Sequence, residues 1–157
     1  MVDAQSGHEK TITGILPALA GANVIYGLGM LEMGITFDLA QLVIDNEIAE
    51  MIKYTLKGIP VNDKTLAVDI IKEMGIGKDY LSHESTYKHM ASQSRADLMD
   101  RRMREDWEAD GSTDLYQRAH DKMIDILETY EPPPLSDSVR QDIREIVHEA
   151  EKEQGVA

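Results

Sequence analysis

The chain has 157 residues, no cysteine and a formal net charge of −13. This length fits one domain, and the lack of cysteine excludes disulfides and thiolate metal sites. The negative charge disfavours nucleic-acid binding, which needs clustered lysine and arginine. No apolar run is long enough for a transmembrane helix, so we expect a cytoplasmic protein that does not contact a membrane.

The first 62 residues predict alternating helix and strand. Apolar spacing and glycine positions predict a helix over 11–20, a strand over 22–26, a loop over 27–34 and a helix over 36–57. Pro17 predicts a kink or an early end of the first helix, and Thr36 is the predicted cap of the second. A short apolar run between glycines is typical of a buried parallel strand, whose partner strands would come from elsewhere. We therefore interpret residues 1–62 as α/β barrel or sheet material.

Residues 63–157 predict a helical extension. Helices are expected over 63–74, over 94–108, from Thr113 onward and after Ser136, with an irregular stretch over 76–93. Three consecutive prolines before the last helix predict an extended link. The larger share of the negative charge lies in this part of the chain. Its simplest interpretation is a solvated surface, and the alternative is an acidic docking face for a partner.

The polar run before the first predicted helix is the first candidate site. His8 can act as an acid or a base near neutral pH, and Gln5 can orient a substrate. If a strand lies upstream, this run occupies a loop past its carboxyl end, where barrel enzymes place catalytic groups. A simpler interpretation is a helix start, with Ser6 as the cap and Glu9 completing a capping box. That interpretation leaves Asp3, Gln5 and His8 unexplained.

The turn after the predicted strand is the second candidate site. Gly27 and Gly29 would let the backbone approach a ligand closely. Glu32 stands where a dinucleotide-binding fingerprint needs its third glycine, which disfavours a phosphate-binding loop. It is also the only acid between Lys10 and Asp38. In an apolar loop such an acid is either paired or functional.

The spacing of the histidines predicts no metal site. His83 and His89 are six residues apart, whereas the HExxH zinc motif places its two histidines four residues apart on one helical face. We therefore interpret this segment as a surface loop and expect no metal to bind the chain.

The run DAQSGHEKTITGILPALAGANVIYGLGMLEMGITFDLAQLVIDNEIAEMI resembles the carboxyl-terminal part of the trimethylamine–corrinoid methyltransferase family. The resemblance continues through VNDKTLAVDIIKEMG and YLSHESTYKHM. It implies the last βα units of a (β/α)8 TIM barrel in residues 1–62, followed by a helical extension in residues 63–157. It also implies an enzyme that moves a methyl group from trimethylamine to the cobalt of a corrinoid, in methylamine-dependent methanogenesis.

The resemblance implies several partners. The corrinoid is carried by a separate cognate protein, so we expect this chain to bind no cofactor directly, and the small substrate is a methylated amine. Some members of the family contain pyrrolysine, encoded by an in-frame UAG codon shortly before the segment that matches Val2. A reading frame begun at Met1 would then be the downstream half. We expect that half to need the upstream part of the same methyltransferase, and the full-length protein to form a homo-oligomer.

In the barrel that the resemblance implies, the predicted loop positions of both candidate sites would place them at its mouth. The predicted catalytic residues are His8 and Glu32. The residues predicted to face the amine and the corrinoid are Asp3, Gln5, Tyr26, Gly27 and Gly29. Two alternatives remain open. In a glycine betaine-type enzyme, Tyr26 and Glu32 would contact the quaternary ammonium, whereas a non-enzymatic acidic helical protein would use none of these residues for chemistry.

Overall fold

The computed structural model describes residues 2–94 and 97–156. Eight α-helices and a two-stranded sheet form in these ranges: α1 (Ala4–Leu19), β1 (Met30–Leu31), β2 (Thr36–Phe37), α2 (Leu39–Leu56), α3 (Asp63–Leu66), α4 (Val68–Met74), α5 (Glu84–His89), α6 (Arg104–Ala109), α7 (Leu115–Thr129) and α8 (Asp137–Gln154). Single 3₁₀ turns form over Glu32–Gly34 and Met90–Ser92. The chain divides into two compact units at residue 125, and each is described by itself.

Helix α1 begins at Ala4 rather than at Thr11, about two turns earlier than predicted. The Asp3 carboxylate accepts the Ser6 backbone N–H at 3.0 Å, and the Ser6 hydroxyl oxygen accepts the Asp3 N–H at 3.0 Å. The cap expected at Ser6 was therefore wrong, because Asp3 caps the helix and Ser6 completes the capping box. The polar run is the first turn of a helix rather than a loop. Pro17 lies inside α1, and the helix ends two residues after it.

Helix α2 begins at Leu39 rather than at Thr36. The Asp38 carboxylate accepts the Gln41 backbone N–H at 2.9 Å and caps the helix. Thr36 instead lies in β2, where it pairs with Leu31 of β1 in an antiparallel hairpin. Asp38 competes successfully because its charged oxygen is a stronger acceptor at the positive end of the helix dipole.

The hydrophobic core of the first unit lies around α2. Its buried apolar residues are Ala18, Ala40, Ile44, Ile48, Ile52, Leu98 and Ala119. Helix α1 packs on α2 at Gly14, which has no side chain. A Cβ added to Gly14 would come within 2.7 Å of Ile52 Cδ1 on α2. The core therefore fixes α1 against α2, and both candidate sites lie beside this helix pair.

The predicted strand over 22–26 does not form within the described residues. Val24 and Tyr26 are 77% and 84% exposed, and the sheet of the described ranges contains only β1 and β2. A strand needs neighbouring backbone N–H and C=O groups as partners, and no other strand of the described residues lies beside this run. The (β/α)8 barrel therefore stays a prediction.

The second half of the chain is helical. Two of the predicted helices are shorter or interrupted, and α5 forms inside the stretch over 76–93 that was expected to be irregular. The helix expected over 63–74 is interrupted at Ala67, whose φ of 52° ends α3 and starts α4. Of the helix expected over 94–108, residues 95 and 96 lie outside the described ranges, and the rest is helical only from Arg104. The predicted cap at Ser136 is confirmed, because its hydroxyl oxygen accepts the Val139 N–H.

No helix in the described ranges is long and apolar enough to cross a bilayer.

Candidate functional site

Beside the candidate sites, the carboxylate of Asp45 on α2 accepts hydrogen bonds from three other residues. Asp45 is only 5% exposed. Its Oδ2 accepts hydrogen bonds from Lys10 Nζ at 2.6 Å and from the Gly29 backbone N–H at 2.7 Å. Its Oδ1 accepts a hydrogen bond from Gln41 Nε2 at 2.6 Å. One buried carboxylate therefore links α1, α2 and the glycine turn, with the partners that a buried charge needs.

Lys10 and Gln41 add two further features to this cluster. Lys10 Nζ also donates to the Gly27 carbonyl oxygen at 3.4 Å. Gln41 is almost fully buried, and its Oε1 has no hydrogen-bond partner among the described residues. The cluster thus consists of one ion pair, two backbone contacts, one hydrogen bond from a side-chain amide, and one buried amide oxygen that still has acceptor capacity.

Gly29 occupies a position that a larger residue would not fit. Its φ is +78°, and a Cβ there would lie 2.8 Å from Phe37 Cε2 and 3.1 Å from Leu42 Cβ. Its carbonyl oxygen accepts the Asp38 N–H at 2.9 Å. The close approach expected of this glycine is therefore made to the side chains of β2 and α2.

We expect Gly29→Ala to lower the free energy of unfolding by about 2 kcal/mol, because a left-handed backbone and a steric conflict combine at this position. Gly58→Ala is the matched control: Gly58 has a φ of +65°, but a Cβ added there would meet nothing within 4 Å. The free energy of unfolding of Gly58→Ala should fall by about 1 kcal/mol, from backbone strain alone. Urea unfolding of both variants, each joined to the upstream part of the protein, measures the difference, and equal losses would contradict the steric argument.

The structure distributes the predicted site residues over three grooves. Asp3, Gln5 and Glu32 line one groove, together with Glu9 and Lys10. Its wall carries three carboxylates, and the Lys10 charge in it is already paired with Asp45. This arrangement favours a cationic ligand over an anionic one.

The side chains of that acidic groove already have local partners. Gln5 Nε2 donates to Glu9 Oε1 at 2.9 Å on the exposed face of α1. The Glu32 carboxylate accepts the Thr36 hydroxyl at 2.8 Å. Of the two alternatives for Glu32, pairing is therefore seen, through a neutral hydroxyl that leaves its charge uncompensated.

His8 lies in a second groove, beside Thr11, Gln41 and Tyr116. The Tyr116 hydroxyl donates to Asp38 Oδ2 at 3.1 Å, and this hydrogen bond to a carboxylate raises the pKa of Tyr116. Tyr26 and Gly27 line a third groove, where Lys10 and Asp45 also lie. His8 and Glu32, the two predicted catalytic residues, therefore do not share a groove.

Asp45 and Gln41 were not predicted as site residues. A signal for them exists in the sequence: Asp45 interrupts the apolar stripe of α2, and Gln41 stands four residues before it, on the same helical face. Lys10 is the only lysine or arginine before Lys53, so it was the available partner. Within the described ranges, no group of three or more histidine, aspartate or glutamate side chains could hold a metal ion.

Comparisons with known proteins cover nearly the whole chain. The family model described as trimethylamine methyltransferase (MTTB) matches residues 1–155. A relative named trimethylamine methyltransferase MttB, from Desulfitobacterium hafniense (strain DSM 10664 / DCB-2), is 55% identical over 99% of this chain and 31% of its own length. Trimethylamine methyltransferase MttB1 of Methanosarcina acetivorans is 49% identical over 96% of this chain and 30% of its own length.

A third relative is named for a different substrate. The glycine betaine methyltransferase of Desulfitobacterium hafniense (strain Y51) is 30% identical over 98% of this chain and 32% of its own length. The chain spans about a third of the length of the curated relatives it matches. Because the family model covers nearly every residue, the chain belongs to the trimethylamine methyltransferase family.

Proposed function

We propose that this chain is the carboxyl-terminal portion of a methyltransferase that moves a methyl group from trimethylamine to the cobalt of a corrinoid on a cognate partner protein. The observation that supports trimethylamine is the difference in identity between relatives. Those named for trimethylamine are 49% and 55% identical to this chain, whereas the relative named for glycine betaine is 30% identical.

The proposed reaction sets clear requirements for the protein. The carbon–nitrogen bond breaks and its electron pair stays on nitrogen, so trimethylammonium leaves as neutral dimethylamine. The reduced corrinoid is the second substrate and supplies the electron pair for the new bond to carbon. The protein must hold the amine, control its proton and exclude water.

The described residues meet part of these requirements, because they could bind a cationic amine and exchange its proton. The carboxylates of Asp3, Glu9 and Glu32 line one groove and would attract an ammonium ion. Tyr26 lines the groove that adjoins the acidic groove at Lys10 and Thr13, and its exposed ring could contact the methyl groups of a cationic amine there. We propose His8, in the neighbouring groove, as the group that exchanges the proton with solvent.

The proposed enzyme needs an upstream part of the same protein. The run 22–26 is apolar and exposed, and it would pair with strands of that part to close a (β/α)8 barrel. Exposed apolar positions on α1, at Ile12, Leu16 and Leu19, would be covered at the same time. We place the encoded pyrrolysine in the upstream part and expect the joined protein to act in the cytoplasm as a homo-oligomer, supplying methyl groups for methanogenesis.

The test joins the chain to the upstream part and measures methyl transfer. With trimethylamine and the reduced cognate corrinoid protein, the joined protein should release dimethylamine, and the chain alone should release none. The chain alone should also aggregate, and a monomer with one cooperative unfolding transition would argue against the barrel portion.

Glycine betaine is the comparison substrate in the same assay. Transfer from glycine betaine but not from trimethylamine would support the betaine-type alternative. Transfer from neither substrate would favour a non-enzymatic acidic helical protein, which a pull-down with the cognate corrinoid protein would then test.

A further inference from the structure

The turn between α1 and α2 is held by charged side chains from both helices. Lys10, on α1, donates a hydrogen bond to the Gly27 carbonyl oxygen. Asp45, on α2, accepts a hydrogen bond from the Gly29 N–H. Lys10 and Asp45 also contact each other at 2.6 Å. A displacement of this turn would therefore break hydrogen bonds to buried charged groups, which are stronger than those between neutral groups.

The geometry at Gly29 leaves the turn little freedom. The N–H of this residue is bonded to Asp45 and its C=O to the Asp38 N–H at 2.9 Å. Its missing Cβ lets the backbone pass against Phe37 and Leu42. Tyr26 lies three residues away and is not itself held: its ring is exposed.

From these contacts we propose that Asp45 is a positioning residue. It binds the Gly29 N–H directly and pairs with Lys10, which contacts the Gly27 carbonyl oxygen. Through these two contacts it fixes the backbone of residues 27–29 and thereby sets where the Tyr26 ring stands in the groove that Tyr26 and Asp45 line. The inference rests on the proposed function, since it assigns to Tyr26 the contact with the methylated amine. Gln41 holds the second carboxylate oxygen and keeps the rotamer of Asp45. Lys10 neutralises the buried charge.

The first readout is hydrogen exchange in the joined protein, resolved to the Gly29 amide. In Asp45→Asn, this amide should exchange about 10- to 100-fold faster, because it loses a hydrogen bond to a charged acceptor. Amides of Ile48 and Ile52 on the same helix should change less than about 3-fold. Equal acceleration at all three positions would overturn the proposal, because Asp45 would then support the helix pair as a whole.

The second readout is the kinetics of methyl transfer. Asp45→Asn should raise KM for trimethylamine about 10-fold with a smaller change in kcat, because the change acts on amine binding through Tyr26. Lys10→Arg, which keeps a cation in place, should retain a near-native KM, whereas Lys10→Met should not. An unchanged KM in Asp45→Asn would overturn the proposal.

The matched control is Glu50→Gln. It removes one carboxylate from the same helix, at an exposed position paired with Lys53. Both KM and the exchange of Gly29 should stay native in this variant. A native joined protein that transfers no methyl group would count against the proposed function alone, because the exchange readout requires no turnover.

Discussion

Replacing Ile52 by alanine is expected to lower the free energy of unfolding by about 3 kcal/mol, near the middle of the range for emptying a packed core position. Ile52 is 3% exposed, and its Cδ1 lies 2.7 Å from the position that a Cβ on Gly14 would take. The side chain therefore fills the contact between α1 and α2, and neither backbone can close the space without moving a whole helix. Urea unfolding of the protein joined to its upstream part, read by pulse proteolysis at low protein concentration, measures the loss.

Ile35→Ala is the control for this change. It deletes the same atoms at a position that is 82% exposed, so the expected change is within about 0.5 kcal/mol. Because both variants lose the same atoms, the difference between their free energies of unfolding reports the effect of burial alone. A loss at Ile52 no larger than the loss at Ile35 would contradict the packing of α1 on α2 described above.

Replacing Glu47 by alanine is expected to lower the free energy of unfolding by a similar amount, about 3 kcal/mol. Glu47 is 8% exposed. Its carboxylate accepts the Leu98 N–H at 2.6 Å and the Met99 N–H at 2.8 Å. Removing it leaves two backbone donors without an acceptor, and each unsatisfied donor costs about 1–3 kcal/mol. The same urea unfolding assay measures the loss.

Glu47→Gln refines this test, because the amide keeps one acceptor oxygen and should lose about half as much. Glu50→Ala supplies the reference on the same helix: its side chain is exposed and its ion pair with Lys53 is worth less than about 1 kcal/mol. If Glu47→Ala and Glu50→Ala unfold at the same urea concentration, Glu47 does not anchor the segment around Leu98.

Local signals in the sequence predicted the helices better than the strand. The cap at Ser136 and the apolar stripe of α2 are set by residues within one or two turns of each other. Strand formation over 22–26 depends on partners far away in the chain, so the apolar run alone could not decide it. The break at Ala67 has no local signal either, because alanine is a strong helix former.

For the candidate site, the sequence identified positions but not their contacts. The approach of Gly29 to a ligand stays a prediction, and the structure shows that its backbone passes close to Phe37 and Leu42. The network around Asp45 was missed because Lys10 is 35 residues away in sequence. Periodicity shows which face of a helix is buried, but it does not show which distant charge meets an acid on that face.

The ion pair between Lys10 and Asp45 also constrains how this sequence can change during evolution. Losing Lys10 leaves the Asp45 carboxylate buried without its counterion, and losing Asp45 leaves the partly buried Lys10 ammonium unpaired. Replacing both by apolar residues of similar size can be neutral. Single substitutions at either position should therefore be selected against, and divergent homologues should differ at both positions together. Covariation of these two columns in an alignment would record a contact that neither column reveals by itself.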